Sequence, residues 1–352
     1  MKVLQNESSR NTGRHGASLI IVCLCASLCG MMILSLRLGR YPVSVGEIVR
    51  ILFTTPPLHA AGQYTNAPWV VIEIVRLPRI LMVTLCGMGL ALAGAAMQGV
   101  FRNPLVGPEI AGVSSGAACG AVLAIMLSLS MAWQVGLAFG FGMLALISAF
   151  MLAKLTGSTS MLVLVLSGVI VGTFFGSMVG LMEILADPAT KLPSILYQML
   201  GSFAGTTYEK LAIVAGTLHI SGTLLLILRW RINLLSLGED DAAALGVNID
   251  ALRWGIIALV TMIVAAQVSV SGGVGWVGLI IPHLARMLVG PEHGKLLPAS
   301  AFLGGIYILA MDDIARSVGH LEIPIGLLTA VMGAPIFAFL FWKTRGKGWI
   351  RD

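Results

Sequence analysis

The sequence predicts an all-α, polytopic integral membrane protein with about ten transmembrane helices. The chain has 352 residues, of which 57% are hydrophobic and only 11% are charged, and its mean hydropathy is +0.93. Apolar runs of about 20 residues, enough to cross a bilayer as helices, recur along its whole length. No stretch has the composition of a separate soluble domain.

Counting apolar windows gives a cytoplasmic tail at residues 1–17, a transmembrane domain at 18–342 and a second cytoplasmic tail at 343–352. The first apolar run lacks a cleavage site and exceeds a signal-peptide core, so we interpret it as a retained span. A short interfacial helix is predicted at Val45–Phe53. Some spans are short or contain Gly and Pro, which leaves re-entrant segments as an alternative. The spans are predicted near residues 18–38, 78–99, 112–128, 131–153, 160–185, 211–229, 254–270, 274–289, 297–316 and 323–342.

The basic residues indicate the orientation. With the N-terminus inside and ten spans, most of the 22 Lys and Arg residues fall on the cytoplasmic side. Short loops rich in Lys and Arg stay inside, so both termini are predicted to be cytoplasmic. The net charge of +6 is then a topology signal, and no nucleic-acid partner is needed to explain it.

No motif for enzymatic chemistry or for a metal site is present. The sequence contains no phosphate-binding loop, no zinc-ligand spacing and no Ser, His and carboxylate set in a plausible context. All five cysteines lie within predicted spans, and His283 has no second ligand at a suitable spacing, so a structural hydrogen bond is favoured for it. Any ATP-driven work would therefore be performed by another chain.

The longest polar interruption in the second half runs from Leu234 to Asp250. It predicts a short cytoplasmic helix with Ser236 as N-cap, acidic residues in the first turn and Gly246 as the C-terminal stop. A helix of about two turns is unstable alone, so its small-residue face must pack either on this chain or in a groove of another subunit. The candidate coupling residues are Ser236, Leu237, Gly238, Glu239, Asp240, Asp241, Ala242, Ala243, Ala244, Leu245 and Gly246.

Three arginines are predicted on the outer face. Arg76 and Arg79 flank Pro78 at the start of the second span, where the proline would fix the first turn and hold both guanidinium groups facing outward. Asp312 and Arg316 are four residues apart, so they can pair on one helix face and orient the arginine outward. These arginines either extend to lipid phosphates or meet carboxylates of a docking partner protein.

Small residues mark two further features of the spans. The fifth span contains glycines at intervals of four, Gly172, Gly176 and Gly180, so one of its faces has no side chains. This face is either a packing seam within the subunit or a surface towards a pore or a symmetry mate. Three hydroxyl residues at the cytoplasmic start of this span either cap the helix or narrow a pathway: Ser158, Thr159 and Ser160. In addition, LVGPE occurs at Leu105–Glu109 and again at Leu288–Glu292, which suggests two distantly similar halves.

Six stretches together carry a family resemblance. They are RLPR at Arg76–Arg79, GAAMQGVFRNPLVGPEIAGVSSGA at Gly94–Ala117, LLSLGEDDAAALGV at Leu234–Val247, VGLIIPHLARMLVG at Val277–Gly290, LLPASAFLGG at Leu296–Gly305 and LEIPIGLLTAVMGAPIF at Leu321–Phe337. In this order and spacing they resemble the FecCD/BtuC-like permease family of type II ABC importers for iron chelates, haem and vitamin B12. The resemblance runs from about residue 20 onwards and leaves out the first 17 residues and an insert around 54–69.

The resemblance implies a homodimer in a bacterial inner membrane, with two ATPase subunits beneath it and a substrate-binding protein outside. It implies that this chain binds no cofactor itself and that ATP and Mg are bound by the ATPase. The stretch from Leu234 to Asp250 would contact the ATPase, Arg76, Arg79 and Arg316 would meet acidic residues of the binding protein, and Thr159 and Ser160 would lie at the cytoplasmic gate. The family more often has an apolar residue where this chain has Asp313.

The resemblance leaves the cargo open. An iron-siderophore is expected first, followed by haem, cobalamin or a molybdate-type oxyanion. A stand-alone secondary transporter or channel and an integral-membrane enzyme are the alternatives from other classes. A neighbouring reading frame with a Walker A motif would favour the importer.

Overall fold

The computed structural model describes residues 2–39, 41–53, 67–108, 112–156, 161–238, 244–246, 248–318 and 322–344. Within these residues the backbone forms helices and turns and no strand. Each of the ten predicted spans coincides with one apolar helix of this structure. Seven helices are long and apolar enough to cross a membrane, and three shorter apolar helices cover Val113–Met126, Val277–Val289 and Ile325–Leu340. The all-α polytopic prediction is therefore confirmed.

The helices are numbered in chain order. Helix α2 has the bounds predicted for the interfacial helix. The helices are α1 Lys2–Arg37, α2 Val45–Phe53, α3 Ala67–Val100, α4 Val113–Met126, α5 Met131–Leu155, α6 Met161–Leu185, α7 Leu192–Leu200, α8 Tyr208–Ile227, α9 Arg229–Leu237, α10 Ile249–Ser271, α11 Val277–Val289, α12 His293–Ser317 and α13 Ile325–Thr344.

Helix α3 is continuous over 34 residues, so Pro78 lies inside it. The expectation that Pro78 lies in a first turn holds for the regular α-helix that begins at Leu77, but the helical path as a whole begins earlier, at Ala67. The segment Val70–Arg76 just before the proline is a π-helix, and the regular α-helix runs from Leu77. A proline ring clashes with the carbonyl four residues earlier, and a wider turn at that point lets the helix continue.

Helix α3 is the centre of the subunit. In its most apolar window 83% of the residues are buried, and it packs against α8, α10, α11 and α12. Glycines allow the backbones to touch: a Cβ on Gly87 would lie 2.4 Å from the carbonyl oxygen of Gly304, and one on Gly94 would lie 2.0 Å from that of Gly278. The predicted close approach of the Gly- and Ala-rich helices is thus observed.

A second, smaller core joins α4, α5, α6 and α7. It contains buried side chains from each helix, such as Val122, Ala145, Phe175 and Ile195. Only 28% of the apolar window of α5, 22% of that of α6 and 17% of that of α1 is buried. These helices therefore leave most of their apolar surface for lipid or for a partner subunit.

The two LVGPE copies have different local structures. Residues 105–108 form turns after α3 has ended at Val100, whereas Leu288 and Val289 are the last residues of α11. Gly290 then ends α11 with a φ of 86°. The relation between two halves of the chain stays a prediction.

Candidate functional site

Arg79 of α3 lies in a buried ion-pair network near the C-terminal end of α12. Its Nη2 is 2.9 Å from Oδ1 of Asp312 and its Nε is 3.1 Å from Oδ2, which is the two-pronged geometry typical of strong arginine–carboxylate pairs. Its Nη1 also donates to Oε1 of Glu322 at 3.0 Å. Arg79 is only 6% exposed. Two carboxylates that lie 233 and 243 residues from Arg79 in the chain thus enclose its guanidinium group.

Arg316 forms the second part of the same network. Its Nε is 3.7 Å from Oδ2 of Asp312, so the predicted pairing four residues apart is observed. It also bonds to Asp313 and donates to the backbone oxygen of Ser35 at 2.7 Å. The hydroxyl of Ser35 donates to Asp313 at 2.6 Å. Asp313, the residue that departs from the family pattern, therefore ties α12 to α1.

Arg76 has carbonyl partners. It donates to the backbone oxygens of Leu36 at 2.7 Å and Tyr41 at 2.5 Å, and it is 4% exposed. The expectation that the guanidinium groups of Arg76, Arg79 and Arg316 are presented at the surface is therefore wrong, and their place on the outer side of the membrane stays a prediction. Burying an arginine is unfavourable unless its N–H groups are bonded, and this chain supplies the partners itself. The three arginines and their carboxylate partners Asp312, Asp313 and Glu322 form what we call the arginine cluster. Within it, only the side chain of Glu322 is substantially exposed, at 36%.

At the other end of the bundle, α9 is fastened to the start of α12. The side chain of Asn233 donates to Glu292 at 3.1 Å and accepts the backbone N–H of His293 at 2.9 Å. Nδ1 of His293 lies 2.8 Å from the same Asn233 oxygen. Ile232 is fully buried beside this contact. The helix that leads into the predicted coupling segment is therefore held rigidly against the core.

The coupling segment differs from its predicted form at the beginning. Ser236 lies in the last turn of α9 and its hydroxyl donates to the backbone oxygen of Ile232 at 2.9 Å, so it is not an N-cap. A serine hydroxyl can either cap the start of a helix or donate to a carbonyl of the helix that contains it, and the sequence alone does not distinguish these two roles. Helix α9 instead ends at Leu237, followed by Gly238 with a φ of 148°.

The other end of the segment agrees with the prediction. Gly246 has a φ of 77°, the left-handed conformation of a helix stop. Ala244 is helical and exposed. Leu245 and Gly246 form the turn that follows, and both are also exposed. The remaining members lie outside the described residues: Glu239, Asp240, Asp241, Ala242 and Ala243.

Two residues that the sequence did not indicate connect α3 with α11 near the same end. Gln98 is 2% exposed and accepts a hydrogen bond from Nη2 of Arg286 at 3.1 Å. Its amide nitrogen donates to the backbone oxygen of Leu279 at 3.3 Å. A polar residue within an apolar run is the signal that would have identified Gln98 as a bonded group.

The glycines of α6 do not form one continuous seam. Gly172 packs inside the subunit, with its Cβ position 3.4 Å from Ser115, whereas nothing lies within 4 Å of Gly176 or Gly180. Residues four apart on an α-helix drift by about 40° around its axis, so the row turns gradually away from Ser115 along α6. Gly172 therefore fits the packing alternative, and a surface towards a pore or a symmetry mate at Gly176 and Gly180 stays a prediction.

The predicted gate residues Ser158, Thr159 and Ser160 lie outside the described residues. Helix α5 ends before them at Leu155 and α6 begins after them at Met161. Among the described residues, no group of three or more His, Cys, Asp or Glu side chains is arranged to hold a metal ion.

The model of the FecCD transport family matches residues 24–343, nearly the whole chain. The chain belongs to the FecCD transport family. It is a multi-pass permease subunit of an ABC importer, and the ATPase of such importers is a separate subunit.

Several relatives match over most of their length. The molybdate import system permease protein MolB of Haemophilus influenzae is 45% identical over 90% of this chain and 93% of its own. The hemin transport system permease protein HmuU of Yersinia pestis is 35% identical over 80% of this chain and 85% of its own. A solved structure described as an inward-facing metal-chelate type ABC transporter has a TM-score of 0.81 and 43% identity, covering 93% of this chain and 99% of its own.

Proposed function

We propose that the chain carries an oxyanion of the molybdate type across the membrane. The observation that supports this cargo is the 45% identity to the molybdate permease over 90% of the chain. Relatives named for cobalamin, iron chelatin and haem reach 37%, 38% and 35%. The iron-siderophore expected first from the sequence becomes the second candidate, supported by the likeness to a metal-chelate type transporter.

We also propose the assembly: two copies of this chain, two ATPases on the cytoplasmic side with ATP and Mg, and a binding protein outside. The exposed residues Ala244–Gly246 between α9 and α10 offer a small surface for the ATPase. The open backbone at Gly176 and Gly180 suits close contact with a second copy of α6. In this assembly Ser158, Thr159 and Ser160 of each copy form the cytoplasmic gate. Both termini lie in the cytoplasm of a bacterial cell.

Docking of the binding protein at the arginine cluster belongs to the same proposal. Arg76, Arg79 and Arg316 are bonded within the subunit, so a docking carboxylate would have to exchange with an internal partner. Glu322 is the member of the cluster that reaches the surface. The stability measurements described in the Discussion separate an internal role for these arginines from a docking role.

Uptake into proteoliposomes tests the cargo. The vesicles contain the chain with its co-encoded ATPase, and the cognate binding protein is added outside. We expect ATP-dependent accumulation of labelled molybdate that unlabelled tungstate reduces and that a ferric siderophore, haem or cobalamin does not. Accumulation of a ferric chelate without molybdate would refute the oxyanion. Accumulation without ATP would refute the importer reading in favour of a secondary transporter.

A further inference from the structure

A cavity of about 660 Å³ lies where α4 and α10 end and α7 and α8 begin, on the same side of the bundle. In the proposed orientation this is the outer side, because α4 and α10 both run outward from the cytoplasm. Eleven of the sixteen described lining residues carry a hydroxyl, amide or ammonium group, and none of the sixteen is acidic. Representative lining residues are Ser128, Lys191, Ser194, Ser202, Lys210 and Ser271.

The two charged residues of this cavity are both lysines, and both have neutral partners. Nζ of Lys191 donates to the backbone oxygen of Ile125 at 3.0 Å and also contacts the hydroxyl of Ser128. Nζ of Lys210 donates to the backbone oxygen of Gly205 at 2.8 Å. In the described part of the chain neither ammonium is paired with a carboxylate within 4.0 Å. This differs from Arg79 and Arg316, whose charges are compensated by acidic residues.

Unused hydrogen-bond donors remain in the cavity. An ammonium group has three N–H donors, so Lys191 keeps one and Lys210 keeps two beyond the bonds described. The hydroxyl of Ser202 accepts the backbone N–H of Ala204 at 3.1 Å, which leaves its own proton free to donate. Two lysines, spare donors and no acidic side chain in the described lining favour an oxyanion over a cation or an apolar molecule.

Two acidic residues within four positions of these lysines in the chain lie outside the lining. Asp187 caps the turn before α7 and accepts the backbone N–H of Thr190 at 3.0 Å as well as its hydroxyl. Those bonds, together with the charge of Lys191, hold the pKa of Asp187 below its usual value, so this carboxylate stays ionised. Glu209 precedes Lys210 in the chain, and its side chain does not line the cavity.

We propose that this cavity is an outer vestibule that receives a hydrated oxyanion through Lys191 and Lys210 when the binding protein releases it. The proposal rests on the oxyanion cargo proposed above. The cavity has room for the anion together with water, so it would hold its ligand loosely. Loose binding suits a transport pathway, since a site that binds tightly does not release its ligand onward.

Thiol reactivity measures the charge of the vestibule without transport. In a chain whose native cysteines are replaced, Ser194→Cys would be labelled by two methanethiosulfonate reagents, one with a sulfonate group and one with a trimethylammonium group. We expect the anionic reagent to react faster relative to the cationic one by about tenfold, and molybdate to slow the reaction. The measurement is made in maltoside detergent, where no lipid phosphate competes.

Lysine variants connect this charge with uptake. Lys191→Gln and Lys210→Gln together should remove the preference for the anionic reagent and lower molybdate uptake at limiting substrate by about tenfold. Lys191→Arg and Lys210→Arg should keep both, because they keep the charge. Arg37→Gln removes an exposed cation at the end of α1 and is the matched control. If Lys191→Gln fails to fold, Lys210→Gln carries the test.

The possible failures are distinguishable. If the unmodified complex does not transport molybdate, the proposed cargo is wrong and the vestibule proposal falls with it. If the complex transports molybdate but the double glutamine variant transports it equally well, the cargo stands and the vestibule is refuted. Equal loss in the arginine variants would show that the lysines only hold the ends of α4 and α8 in place.

Discussion

Removing one partner of the Arg79–Asp312 pair should strongly destabilise the subunit. The two side chains are 8% and 1% exposed and lie 2.9 Å apart. Deleting one member of such a pair costs about 3 to 5 kcal/mol, since the remaining charge stays buried. Here each survivor keeps a second partner: Arg79 keeps Glu322 at 3.0 Å and Asp312 keeps Arg316 at 3.7 Å. We therefore expect about 3 kcal/mol for Arg79→Gln and for Asp312→Asn, the lower end of that range.

The double variant provides the sharper number. Because each single change removes the same contact, the cost of Arg79→Gln with Asp312→Asn should fall short of the sum by about 1 to 3 kcal/mol. The free energy of unfolding can be followed by tryptophan fluorescence during titration of the detergent-solubilised protein with a denaturing surfactant. Arg37→Gln is the control for loss of an exposed cation on the same side.

The opposite result would refute this reasoning. If each single variant costs less than about 1 kcal/mol and the costs add, the pair behaves like an exposed surface pair. Arg79 would then be available to a partner, and Arg79→Gln should weaken association with the binding protein while leaving the subunit stable. An internal role predicts loss of stability first and loss of association only as its consequence.

Three further predictions concern the helices. Gly94→Ala should destabilise the protein by at least about 2 kcal/mol, because its Cβ would lie 2.0 Å from a backbone oxygen. Gly255→Ala is the control, since a Cβ there meets open space. In the same titration it should be neutral or stabilising by up to about 1 kcal/mol. Ala244→Glu should leave the protein inserted and uncouple ATP hydrolysis from uptake; full uptake with normal ATPase coupling would contradict the coupling role. Gly176→Cys, in a chain without other cysteines, should form a disulfide between two copies of α6, and absence of cross-linked dimer under oxidising conditions would contradict the homodimer contact.

The positions of the spans followed from the sequence because each is a local property. A run of apolar residues long enough to cross a bilayer can only be helical there, since lipid offers no hydrogen-bond partners to the backbone. The same holds for α2, whose bounds Val45–Phe53 were predicted from its own residues. Gly246 was also recognisable, because a glycine after a helix commonly takes the left-handed conformation.

The orientation of the arginines did not follow, because their partners are distant in the chain. Arg79 and Asp312 are 233 residues apart, and Arg316 and Ser35 are 281 apart. No local pattern shows that two such positions meet. The charge count did contain a signal: Asp312, Asp313 and Glu322 fall on the same side as the three arginines and could have been taken as their partners.

Contacts at three levels join α3 and α12 into a single strut across the membrane. Arg79 bonds to Asp312 near the end of α12, and Gly87 and Gly304 touch through their backbones in the middle, where a Cβ on either would lie within 2.4 Å of the other's carbonyl oxygen. At the start of α12, a Cβ on Gly99 of α3 would lie 2.4 Å from Nε2 of His293. Neither helix can slide along the other without breaking these contacts, since packed interfaces switch between discrete arrangements rather than deform continuously. Movement of the coupling segment is therefore expected to turn the strut as a rigid body, and the change of shape within a subunit to occur in the sparsely buried helices α5 and α6, between which the proposed gate residues lie.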